Sequence, residues 1–166
     1  MDANWKEILW RQLGGAIEML ENAALACPDE LWSDCTRRPE FWYMVYHTLF
    51  FLDLYLSGSV EGFAPPAPFN LDELDPRGIL PERVYAKEEL LNYLEHCRGK
   101  CRAVIGSLTE EKAQERCVFE WIEMSFAELL LSNLRHVQHH AAQLNLILRQ
   151  TCDSAPRWVA AAKSSL

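Results

Sequence analysis

The sequence predicts an all-α fold, an antiparallel four-helix bundle with a long crossover between its second and third helices. Three observations carry this. Three segments repeat apolar residues at alternating steps of four and three, the spacing of a bundle seam. A fourth segment is apolar almost all round, the pattern of a helix buried on every side. A Pro- and Gly-rich stretch too long for a tight turn separates the second and third of them.

The first segment places Leu9, Leu13, Ala16, Leu20, Ala23 and Cys27 on one seam. The second, about residues 40–56, reads EFWYMVYHTLFFLDLYL; Pro39 stands at its start and Gly58 follows its end, where helices commonly begin and stop. The third, about 86–107, carries Leu90, Leu94, Cys97, Cys101, Val104 and Leu108. The fourth runs from a Ser125 N-cap, with Glu128 three residues on, to about Gln150. Its seam is Phe126, Leu130, Asn133, Val137, His140, Leu144 and Ile147. The connection over 57–85 is expected to cross one end of the bundle, and a shorter link covers 108–124. The tail APRWVAAAKSSL is expected to add a short helix packed through Trp158.

All this fits one domain over residues 1–166. A chain of this length buries about 70% of the surface it exposes unfolded, enough for a core without disulfide or metal. Hydrophobic residues make up 49% and charged residues 24%, the profile of a soluble globular chain. The net charge of −8, with no basic run, argues against nucleic acid, where neutralised phosphates supply most of the affinity. It also leaves no basic face for an anionic membrane, and no segment is apolar enough to span one. The N-terminus lacks the basic and apolar regions of an export signal, so a cytoplasmic location is expected. Six cysteines with no CxxC pair argue against a zinc ribbon or a thioredoxin-type site, and read as reduced thiols. Cys97 and Cys101, four apart on the third seam, read as core fillers rather than soft ligands.

The chemistry concentrates in LRHVQHHAAQLNLILRQ, which sets His136, His139 and His140 on one helix. Residues four apart differ by about 40° around a helix, so His136 and His140 point the same way and can reach one ion. His139 lies about 100° from His140 and about 60° from His136 on the other side, and leaves that face. Two imidazoles rarely complete a site. The candidate third is His47, an imidazole set between Met44 and Phe51 in the apolar second segment, where it is costly unless satisfied. His96, beside Cys97, is expected to face solvent. Three neutral imidazoles with open positions make a catalytic type of site, able to polarise a bound water or thiol. The aromatic crowd of Trp42, Tyr43, Tyr46, Phe50 and Phe51 is expected to supply a pocket beside it. Gln143 and Asn133 stand near the same face, each able to orient an imidazole or simply to pack. A di-iron bundle is excluded: the chain has no ExxH or HExxH, and the seams lack carboxylates.

These residues carry a resemblance. The single histidine in WYMVYHTLFFLDLYL, the third helix opening KEELLNYLE, and the H-x3-H-x2-Q-L pattern of His136, His140, Gln143 and Leu144 resemble the DinB/YfiT-like superfamily of metalloenzymes. The resemblance covers the second to fourth helices. It implies a four-helix bundle, a homodimer, and a divalent metal (zinc, nickel or iron) held by His47, His136 and His140. It also implies a small-molecule substrate and a thiol-dependent transferase or isomerase using a low-molecular-weight thiol cosubstrate. Ala141 and Ala142 stand where many relatives have Arg-Gly, so no role attached to that arginine carries over. Metal-dependent hydrolysis and a non-enzymatic, stress-related binding protein with a structural or vestigial metal are the competing readings.

Overall fold

In the computed structural model, which describes residues 2–166, four long helices frame the fold: α1 (Ala3–Ala26), α3 (Phe41–Ser57), α4 (Lys87–Ser107) and α6 (Phe126–Cys152). Two short helices, α2 (Asp29–Trp32) and α5 (Glu110–Gln114), and a small hairpin of β1 (Arg116–Val118) and β2 (Glu123–Ser125) fill the connections. The expected seams are buried, except that His140 is only half-buried and that Ile105 rather than Val104 takes the inner position near the end of α4. Local chemistry sets the ends. Asp2 caps α1 by accepting from Asn4 N at 3.0 Å, and Ser125 caps α6 by accepting from Glu128 N at 3.3 Å. Gly58 ends α3 at φ +77°, with a Phe126 ring carbon 3.2 Å from where its Cβ would sit. A side chain there meets both the left-handed backbone and that ring.

Around the bundle α1 and α3 sit diagonally, each packed against both α4 and α6. Contacts along the pairs give the directions. On α3 and α6, Leu52 O accepts from Asn133 Nδ2 at 3.0 Å, while His47 lies beside His136 and His140, so these helices run antiparallel. On α3 and α4, Tyr46 packs near Phe69 and Tyr85 just before α4, and Asp53 and Ser57 meet Lys100, so these two run parallel. A parallel pair cannot be joined by a tight turn, which explains the long connection. It does not cross one end, as the sequence alone led us to expect, but returns along the bundle. Phe63 docks near Phe50, Phe69 against Tyr46 and Tyr93, and Tyr85 against Trp42 and Tyr46.

The 108–124 link holds the hairpin, paired Arg116 with Ser125 through Val118 with Glu123, which period reading over so short a span does not reveal. The expected terminal helix is absent. The tail is an extended strap: Ala162 N donates to Arg11 O at 2.8 Å, and Trp10 Nε1 donates to Ser164 O at 2.8 Å. Trp158, expected to anchor it, is 66% exposed. Gly14 and Gly15 admit the strap; a Cβ on Gly14 would stand 2.8 Å from that of Ala162. Among the described residues no helix is long and apolar enough to cross a membrane.

Candidate metal centre

The middle of α3 is apolar on nearly every side, and His47 interrupts it on the face turned to α6. One turn of α6 presents His136 and His140 there. The ring centroids lie 5.5 Å (His47 to His136), 5.0 Å (His47 to His140) and 4.7 Å (His136 to His140) apart. One nitrogen from each ring lies within 4.8 Å of those of the others, close enough for one ion to reach all three. His139 is exposed and outside this group, as the helical angle requires, and touches only the edge of His140. His96 is elsewhere, half-exposed beside the buried carboxylate of Asp53.

Hydrogen bonds decide which ring nitrogens are free. His47 Nδ1 donates to Glu73 Oε1 at 2.6 Å, and His140 Nδ1 donates to Gln143 Oε1 at 2.8 Å. A carboxylate and an amide oxygen only accept, so both rings carry hydrogen on Nδ1, and in its neutral form each keeps its lone pair on Nε2. His136 Nδ1 is buried without a partner. Burial, then the neighbouring imidazoles, lowers the pKa of His136 to about 3. Burial and His47 lower that of His140 to about 4, against the opposing pull of Gln143. Both rings are therefore neutral at pH 7, the state a metal requires. Three convergent imidazoles, one with an orphaned polar atom, fit a divalent ion of borderline softness.

The surroundings divide the aromatic crowd. Trp42, Tyr46 and Phe50 are buried in the core. Phe51 faces the cluster, with its ring 4.8 Å from His47 and 5.9 Å from His136, and Tyr43 stands 6.2 Å from His47. Tyr55, 6.1 Å from His136, continues the wall and accepts from Trp121 Nε1 at 3.0 Å. The His47 side chain remains 29% exposed, so the cluster is reachable from solvent. A depression of about 590 Å³ along α6 is lined by His136, His139 and Arg135, but by neither His47 nor His140, and lies beside the centre rather than at its mouth.

Asn133 makes its bond to Leu52 O and to no histidine. Two features escaped the sequence: the Tyr55–Trp121 wall and Glu73. Glu73 belongs to a single 3₁₀ turn, Asp72–Leu74, inside the crossover. Its one trace in the sequence is the turn-forming Asn70 ahead of it, whose Oδ1 accepts from Asp72 N at 3.0 Å.

The fold and this cluster define a helical-bundle protein with a histidine centre, and the sequence comparison agrees. Residues 12–144 match the DinB superfamily, and the chain belongs to it. The crystal structure of a DinB-like protein from Bacillus subtilis is similar, with a TM-score of 0.60 over 92% of this chain and 97% of that one. The two share 16% sequence identity, so the likeness speaks for the fold. No curated protein matches the sequence.

Proposed function

We propose that the chain is a divalent-metal-dependent enzyme of the thiol-transferase or isomerase kind, with zinc, nickel or iron held by His47, His136 and His140. The observation that carries this is the convergence of three imidazoles within 4.8 Å, two of them held at Nδ1 by an acceptor. A bound ion would supply Lewis acidity, lowering the pKa of a thiol or water at a position the protein leaves open.

The chain's own residues supply the rest. Gln143 orients His140, and burial keeps His136 and His140 unprotonated. Phe51 and Tyr55 exclude water from one flank, where an apolar part of a substrate can lie. Among the described residues no cysteine joins the cluster. Cys97 and Cys101 are fully buried, and burial pushes the Cys101 thiol up to about 12 and the Cys97 thiol well above its ordinary value. A thiol nucleophile would therefore come from a low-molecular-weight cosubstrate, as the family resemblance implies.

The test is metal analysis of purified protein, then a panel of bacillithiol, mycothiol and glutathione against electrophiles. Metal- and thiol-dependent turnover supports the reading. Metal-dependent turnover without a thiol would support hydrolysis. Stoichiometric metal with no turnover would favour a binding protein.

A further inference from the structure

We propose that Glu73 is a positioning residue of the histidine centre, holding His47 in the tautomer whose Nε2 can bind a metal and tying the crossover to the site. This rests on reading the cluster as a metal centre.

The geometry is specific. Glu73 Oε1 accepts from His47 Nδ1 at 2.6 Å and from Tyr43 OH at 3.0 Å, so one oxygen holds two donors one turn apart on α3. Burial, then the Glu73 carboxylate, raises the Tyr43 phenol above its ordinary value, so it stays a donor. The other oxygen, Oε2, is buried with no partner, and the side chain is only 4% exposed. An unsatisfied buried acceptor destabilises the fold, more so if it is charged. Stability alone gives no reason to place a carboxylate there. The turn is nevertheless built to hold it: Asn70 closes its start, and Leu74 packs against the core beyond it.

What the arrangement achieves is a decision between two tautomers. A free imidazole carries its proton on either nitrogen, whereas an acceptor at Nδ1 fixes it there and frees Nε2. Carboxylate partners also make a ligating imidazole more basic, and their loss typically costs ten- to hundredfold in metal affinity. The three rings are graded in this respect. His47 has a carboxylate, His140 an amide, and the Nδ1 of His136 has nothing. His47 is thus the ring most strongly prepared, and a loop prepares it.

The experiment compares wild type with Glu73→Ala and with the isosteric Glu73→Gln, which keeps an acceptor. Imidazole ¹⁵N NMR on metal-free protein reads the His47 tautomer, and chelator competition reads zinc affinity. The wild type should show hydrogen on Nδ1. Glu73→Ala should give a tautomer mixture and roughly ten- to hundredfold weaker zinc binding. Glu73→Gln should keep most of the tautomer and lose less affinity, a rescue that a merely structural role does not predict. Wild type with hydrogen on Nε2, or both variants matching wild type in tautomer and affinity, would overturn the proposal. If Glu73→Ala fails to fold, Glu73→Gln decides it: hydrogen kept on Nδ1 with less than about a tenfold loss of affinity supports the proposal, and a larger loss with the tautomer unchanged overturns tautomer control. A wild type that takes up no zinc would sink the metal reading, and the tautomer measurement would still decide whether Glu73 fixes His47.

Discussion

Lys100 Nζ stands 2.5 Å from Oδ1 of Asp53, a carboxylate with no solvent exposure on the inner face of α3. Tyr93 OH donates to Oδ2 at 3.0 Å, and Lys100 also reaches Asp53 O at 3.0 Å and Ser57 Oγ at 2.7 Å. The network fastens α4 alongside α3 where the two run parallel. Asp53→Ala strands the lysine and the phenol. With Lys100 27% exposed and able to turn to water, the main loss is the buried phenol's acceptor, roughly 1–3 kcal/mol, so urea unfolding should show a lowered midpoint at unchanged slope.

Metal uptake should follow the facing of the rings. His47→Ala and His140→Ala are expected to abolish stoichiometric zinc, while His139→Ala, which alters an exposed ring outside the cluster, should retain it. Metal analysis after gel filtration reads the outcome. Loss in His139→Ala with retention in His47→Ala would mean the site is elsewhere.

The metal-free protein should weaken in mild acid. Folding lowers His136 from 6.5 to about 3 and His140 to about 4, so below pH 6.5 the unfolded chain binds protons that the folded chain refuses. The contribution is complete above pH 6.5 and is lost as pH falls toward 4 and then 3. Melting temperatures measured from pH 7.5 to 4.5 should drop for wild type. His136→Gln, which removes the more strongly shifted ring, should give a flatter profile; an identical slope would show that other groups carry the acid response.

Thiol labelling of the native protein should modify two cysteines quickly. Cys35 and Cys152 are exposed, whereas Cys27, Cys97, Cys101 and Cys117 are buried. All six should react in denaturant. Fast native modification of Cys97 or Cys101 would show that the α4 seam opens readily.

The strap over α1 should depend on small residues beneath it. Gly14→Leu places a side chain where Ala162 already sits. Overpacking of this kind costs roughly 1–3 kcal/mol, and the expected signs are a lower melting temperature and faster proteolysis of the tail.

Much of the bundle was legible because helical periodicity survives over long segments. The α4 seam and the Ser125 cap each need only local sequence to be read. The histidine cluster was legible for a related reason: His136 and His140 share a face by helix geometry alone, and His47 stood out as a polar residue in an apolar helix. The rest depended on contacts distant in sequence. Nothing near Glu73 shows that a one-turn element would dock on residues 30 and 26 positions earlier. Trp158 looked like an anchor because it is large and apolar, yet the strap binds through main-chain groups and through Val159, Ala162 and Leu166.

The centre draws one imidazole from α3 and two from α6, helices whose sequences lie far apart in the chain. In the unfolded chain only the His136–His140 pair stays close, so an ion that grips all three selects the folded state. Folding and metal uptake are then a single linked equilibrium: stability rises by RT ln(1 + [M]/Kd), about 2.7 kcal/mol when free metal is a hundredfold above Kd. Any ion binding this cluster is also a clasp between α3 and α6, and depriving the protein of metal should raise the rate at which those two helices part.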